Sequence, residues 1–128
     1  MVHNLVRSFV APMEHACLFI RDVDSEASHD DWNPAEAPVD AHPDSILIGV
    51  QAGVDGPVSV KVWRGEPEAA LSTTIFEGSI RLQSGRLSLH DPNEDIVVQV
   101  PYLGGGGPLS ILVDDADYPT QVQVVLGF

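Results

Sequence analysis

Apolar and polar side chains alternate with period two along most of this chain. Ile46, Ile48, Val50 and Ala52 fall on one side of an extended segment, and Val58, Val60 and Val62 on one side of the next. The same alternation runs through Ile80 and Leu82, through Leu87 and Leu89, through Leu109, Ile111 and Val113, and through Val122, Val124 and Leu126. It marks strands that bury one face. The spacing predicts a hairpin around Ser84-Gly85, pairing Leu82 with Leu87 and Ile80 with Leu89, because Gly85 can take the positive φ of a two-residue turn. A second predicted hairpin closes through Gly53–Pro57, pairing Ala52 with Val58, Val50 with Val60 and Ile48 with Val62. Leu47 and Trp63 then fall on the opposite face, which is either covered or a contact patch. Two opening strands, Leu5–Val10 and Ala16–Arg21, are predicted as antiparallel neighbours. Turns at Asp91–Glu94 and Asp114–Pro119 lead into Ile96–Val100 and Val122–Leu126. Short strands with turn signals about every ten residues predict an antiparallel β-sandwich of eight to nine strands. No βαβ pattern interrupts them.

Asp22–Asp44 differs in composition. It holds eight acids, three prolines, two histidines and Trp32, with no Lys or Arg and no repeat at strand or helix spacing. At 23 residues it is long for a connection within a compact domain and reads as a functional or loosely ordered loop. Asn33 before Pro34 is a helix-capping pair, so one helical turn is expected there, ended by Pro38.

The length of 128 residues suits one domain, 1–128, able to bury a core without metal or disulfide staples. Nineteen Asp and Glu against six Lys and Arg give a net charge of -13. That balance disfavours direct binding to nucleic acid or anionic membrane and favours a basic protein or a cation as partner. Acidity kept for solubility alone is the plain alternative. Cys17, the single cysteine, rules out an intrachain disulfide and reads as a small buried hydrophobe. Residues 1–12 lack the basic start and apolar run of a secretory signal, and no apolar run reaches the ~20 residues of a membrane span. The cytoplasm is the expected compartment.

The chemistry-bearing patterns are mostly negative. Asp22, Asp24 and Glu26 open like a calcium loop, but Ala27 and Asn33 stand where an EF-hand needs Gly and Glu. A divalent cation at Asp30 and Asp31, or at Asp114, Asp115 and Asp117, stays an alternative reading. The five histidines, His3, His15, His29, His42 and His90, show no close metal-ligand spacing, and a zinc site built across loops stays open. No nucleophile elbow surrounds a serine, and Cys17 has no neighbouring base. Gly104–Gly107 lacks the Lys and helix of a phosphate loop and reads as a flexible hairpin loop. No cofactor is expected, and the chain reads as a protein that is not an enzyme.

What remains is the acidic loop. In an extended segment Asp22, Asp24 and Glu26 project to one side roughly 6–7 Å apart. Such a row resembles a row of phosphates, and Trp32, beside Asp30 and Asp31, offers an aromatic anchor. The plainer reading has Trp32 tucked against the sandwich, pinning the loop, with the acids merely solvated.

The order of elements resembles the competence protein J family, small bacterial proteins associated with inhibition of a DNA-entry nuclease. The likeness covers most of residues 5–113. It rests on an opening strand pair with Leu18 and Phe19, an acidic loop with Asp31-Trp32, and a strand-turn-strand over Ile46–Trp63. Phe76, Ser84-Gly85-Arg86-Leu87 and Ile96–Pro101 with the glycines after it complete the likeness. The chain departs from the pattern in its four-glycine loop and in a terminal strand, Thr120–Phe128. The resemblance implies a β-sandwich, an inhibitor of a basic protein, and Asp31-Trp32 as a partner contact. The leading expectation is a non-enzymatic acidic interaction protein that binds through Asp22, Asp24, Glu26, Asp30, Asp31 and Trp32. Its alternatives are a Ca²⁺-binding sandwich and an oligomer-forming domain with Leu47 and Trp63 on the contact face.

Overall fold

A computed structural model describes residues 4–102 and 104–127; His3 and Phe128 lie outside the described residues. Among the described residues ten strands follow one another: β1 (Asn4–Ala11), β2 (Cys17–Asp22), β3 (Val39–His42), β4 (Ser45–Gly49), β5 (Val58–Arg64), β6 (Thr73–Arg81), β7 (Arg86–His90), β8 (Val97–Pro101), β9 (Gly106–Val113) and β10 (Gln121–Leu126). They form two five-stranded sheets, ordered β1-β5-β10-β9-β6 and β3-β4-β2-β7-β8. We call them sheet A and sheet B. The fold is an all-β sandwich, with strands pairing antiparallel except β5 and β10, which run parallel.

The alternating residues face one another across the gap between the sheets. Ile46, Ile48, Val58, Val60, Val62, Leu82, Leu87, Leu89, Ile111 and Val124 are completely buried, and Ile80, Leu109, Val122 and Leu126 nearly so. Burial of this kind, at roughly 25 cal/mol per Å² of apolar surface, is the main force holding the two layers together.

Three predicted strand pairings differ from the structure in the same way. β6 does not pair with β7: β6 lies in sheet A against β9, and β7 lies in sheet B between β2 and β8. β4 and β5 likewise belong to opposite sheets, as do β1 and β2. Each short connection arches from one layer to the other. The apolar faces stay inward, because residues that would share one face of a hairpin instead meet across the core. Hydrogen bonds mark the corners. Leu82 accepts from the Gly85 N–H at 3.0 Å in one, and Met13 accepts from Ala16 and Gly53 in another. His15 and Ala16 take positive φ of 58° and 54° to turn the chain there.

The glycine segment is also firmer than a flexible loop. Gly106 and Gly107 belong to β9 and pair with Arg81 and Ile80 of β6. A side chain on Gly106, whose φ is +96°, would overlap the carbonyl oxygen of Ile80. Glycine is required where the two backbones approach so closely.

Asp22–Asp44 contains a strand that its composition hides. β3 pairs with β4 through Val39↔Ile48 and His42↔Ser45, at the edge of sheet B. The helical turn after Asn33 forms as expected: Asn33 Oδ1 accepts from Ala35 N–H at 3.0 Å, and its carbonyl accepts from Glu36 and Ala37. No helix among the described residues is long and apolar enough to cross a membrane.

Candidate functional site

The acidic segment lies over the outer face of sheet B, and a period of two governs how. From residue 23 to 30 the more covered positions are Val23, Ser25, Ala27 and His29, while Asp24, Glu26, Ser28 and Asp30 are exposed. This alternation couples small or polar residues with charged ones, so it carries no apolar signature. The covered side is tied down by side chains: Ser25 Oγ donates to Asp44 Oδ1 at 3.0 Å, and His29 reaches Asp40 and Ser45. Asp31 is exposed as well. Asp24, Glu26, Asp30 and Asp31 therefore line the solvent side of a strapped-down segment, and no ion pair among the described residues holds them.

Asp22 does not join that row. It is 2 % exposed, and its Oδ1 accepts the Ser84 N–H and the Ser84 hydroxyl at the arch between β6 and β7. Position 22 is the last residue of β2, and its buried carboxylate is satisfied by the backbone and hydroxyl donors of half-buried Ser84. Trp32 is half-buried, with its ring edge against Gly49 and its indole N–H donating to the Ala37 carbonyl at 2.9 Å. It pins the loop. Next to it, an open cleft of about 720 Å³ is lined by His15, Cys17, Pro34, Pro38, Gly49 and Tyr118. Cys17 is half-buried rather than enclosed, and burial raises its thiol pKa.

Under the loop lies a group of polar side chains that the sequence did not single out. Phe19, Arg21, Ser45, Leu47 and His90 project from the outer face of sheet B. His90 stacks on Phe19, with centroids 4.9 Å apart and planes at 11°, and the Arg21 guanidinium lies 4.7 Å from the Phe19 ring. Arg21 Nε donates to His90 Nε2 at 3.0 Å, and the Nδ1–H of His90 donates to the Asp91 carbonyl at 2.7 Å. Burial chiefly, with the Arg21 charge adding to it, pushes the His90 pKa below the usual imidazole value. His90 is a neutral structural link with both ring nitrogens used.

His29 makes a second relay. Its Nε2 is 2.8 Å from Ser45 Oγ and its Nδ1 is 2.7 Å from Asp40 Oδ2. The order Ser–His–Asp is that of a hydrolase triad, but the exposure is reversed. Ser45 is fully buried, the His29 side chain is 4 % exposed and that of Asp40 is 30 % exposed. A nucleophile must be open to substrate and its orienting carboxylate shielded. Here the relay anchors the loop, and its accessible end is the carboxylate. His42 Nε2 lies 3.4 Å from the same Asp40 oxygen, and one donor atom from each of His29, Asp40 and His42 falls within 4.8 Å of the others.

Other expected features sit elsewhere. Asp114 Oδ1 accepts from the N–H groups of Asp115, Thr120 and Gln121, and Oδ2 from the Thr120 hydroxyl, so this carboxylate is occupied in shaping the β9–β10 turn. Those hydrogen bonds outweigh its partial burial and lower its pKa. Leu47 and Trp63 are each 6 % exposed. Their faces are covered, which removes them as an open contact patch.

Two solved structures share this architecture over nearly the whole chain. ComJ from Bacillus subtilis, described as an inhibitor of the DNA-degrading activity of NucA, matches with a TM-score of 0.75 and 9 % identity, over 99 % of this chain and 98 % of that one. The chain has a ComJ-like fold. That match takes in β10, so the terminal strand expected as a departure from the competence protein J pattern falls within the shared architecture. A protein described as crocagin biosynthetic gene J matches with a TM-score of 0.53 and 16 % identity, over 99 % of this chain and 98 % of that one. No family model and no curated protein sequence matches the chain.

Proposed function

We propose that this protein is a non-enzymatic interaction protein whose carboxylate row, Asp24, Glu26, Asp30 and Asp31, docks into the basic groove of a protein partner, with a DNA-cleaving nuclease as the partner class. One observation carries the reading: these acids lie on the exposed side of a segment that is fastened to a rigid sheet, Asp24 in the Asp22–Ser25 turn and Asp30 and Asp31 in the His29–Trp32 turn. A charge row fixed before binding loses little conformational freedom on docking, and it steers a cationic partner from a distance. The ComJ-like fold supports the choice of partner class, because ComJ itself is described as inhibiting a nuclease. The open cleft beside Trp32 would take an apolar side chain of the same partner.

Affinity capture tests this. Immobilised protein is offered a lysate of its source organism at low and high salt, and the eluates are assayed for DNA cleavage. A basic protein should be retained at low salt and released by high salt. It should be lost from a variant carrying Asp24→Asn, Glu26→Gln, Asp30→Asn and Asp31→Asn together. Equal retention by that variant, or no basic protein retained at low salt, refutes the reading.

A further inference from the structure

The geometry points to a site for a zinc-class divalent transition metal built from His29, Asp40 and His42. This inference does not depend on the proposed partner. Two imidazoles and one carboxylate are the donor types that such an ion prefers, whereas Ca²⁺ takes six or more oxygens.

The spacing suits a tetrahedral ion. With metal–ligand bonds of about 2.0–2.1 Å, tetrahedral ligand atoms lie about 3.3 Å apart. His42 Nε2 and Asp40 Oδ2 are already 3.4 Å apart. His29 Nδ1 and Asp40 Oδ2 are hydrogen-bonded at 2.7 Å and need to open by about half an ångström to admit an ion between them. All three donors lie within 4.8 Å of one another.

The second observation is how His29 is held. Its other nitrogen, Nε2, meets the Oγ of fully buried Ser45 at 2.8 Å. A histidine ligand characteristically hydrogen-bonds through the nitrogen that does not bind metal, which fixes its tautomer and ring orientation. With metal on Nδ1 the proton sits on Nε2 and is donated to Ser45 Oγ, which accepts as readily as it donates. The packing of His29 against Phe19 and His42, at centroid distances of 5.8 and 4.7 Å, restrains the ring further.

Access and backbone support are also present. Asp40 and His42 lie two residues apart on β3, facing the same side, and their side chains are 30 % and 40 % exposed. An ion could enter from that side and keep a water as fourth ligand. Since His29 belongs to the loop and the other two to the edge strand, the metal would clamp the acidic segment to sheet B.

The test uses metal-free protein titrated with ZnCl₂ by calorimetry, with the melting midpoint read in parallel and Co²⁺ as a visible-absorption probe. We expect one equivalent of Zn²⁺ bound, a raised midpoint, intense tetrahedral Co²⁺ bands, and no midpoint change with CaCl₂ at the same concentration. His42→Ala alters an exposed side chain and Asp40→Asn keeps the size of a half-buried one, so both should fold; each should weaken Zn²⁺ binding by at least about tenfold, the smallest loss seen even for outer-shell changes. His15→Ala should bind as the parent does. Failure of the parent to take up one equivalent, or equal affinity in His42→Ala and Asp40→Asn, overturns the site.

Discussion

Asp22 Oδ1 accepts both the backbone N–H and the hydroxyl of Ser84, 62 positions further along the chain. The bond ties the end of β2 in sheet B to the arch by which the chain leaves sheet A. Removing the carboxylate leaves the Ser84 N–H without this partner at a half-buried position, while the hydroxyl keeps only the Arg86 carbonyl as acceptor. Asp22→Ala should therefore destabilise the fold by about 1–3 kcal/mol in urea unfolding. Its effect on partner capture should be nil while the protein is folded. A variant that keeps full stability but loses the partner would return Asp22 to the binding row.

Two glycines offer a controlled comparison. Gly85 has φ +75° and open space around its missing side chain, whereas Gly106 combines φ +96° with the Ile80 carbonyl directly in the way. Gly85→Ala should cost about 1 kcal/mol, the price of a left-handed residue. Gly106→Ala should cost about 3 kcal/mol or more, because β6 and β9 must also separate. Similar losses for the two would mean that the close approach of those strands is relaxed in solution.

Protonation of His90 gives a signed pH effect. Its folded pKa lies below the ordinary value of 6.5, so as pH falls through 6.5 the unfolded chain takes up a proton that the folded one refuses. Stability from this group is complete above that pH and is lost as pH drops towards the folded pKa. His90→Gln removes the contribution, so the variant's stability should depend less steeply on pH below 6.5 than the parent's. Denaturant midpoints measured across that range would expose the idea if the two slopes coincide.

Charge in the loop should act on association more than on the fold. Neutralising Asp24, Glu26, Asp30 and Asp31 should change the unfolding free energy by less than about 0.5 kcal/mol per site, since surface positions away from packed contacts rarely do more. The same changes should slow binding of a basic partner and flatten its dependence on salt, as surface plasmon resonance at several ionic strengths would report. A large stability loss would instead place these carboxylates in structural contacts.

How much of this was legible from the sequence depends on which question is asked. Period two told which side of most strands faces inward, and Ile80, Leu82, Leu87, Leu89, Val58, Val60 and Val62 are all buried as expected. It did not tell which sheet a strand joins. A short connection can fold back within a layer or arch across to the other, and the inward residues are the same in both cases. Where the turn stays within a sheet, as between β7 and β8 and between β9 and β10, consecutive strands pair. β3 was hidden because a four-residue edge strand carrying Asp40 and His42 has little apolar content. Charged residues on an edge are what keep it from pairing with another chain.

The candidate site was half-readable for the same reason. Composition alone picked out the acidic segment. The alternation of Val23, Ser25, Ala27 and His29 with Asp24, Glu26, Ser28 and Asp30 was visible in principle, but only to a pattern that contrasts small or neutral residues with charged ones. Asp40 and His42 share one side of β3 at a spacing of two, but His29 meets them only because the loop folds back over the sheet, which no spacing along the chain encodes.

β10 occupies the middle of sheet A, flanked by β5 in parallel and β9 antiparallel. Without residues 121–126 that layer is two separate ribbons, β1 with β5 and β9 with β6, each exposing a row of unpaired backbone groups. During synthesis the earlier strands must wait for this late one, in a state prone to intermolecular association. A sheet closed by so distant a segment is expected to fold slowly and to complete only with that strand.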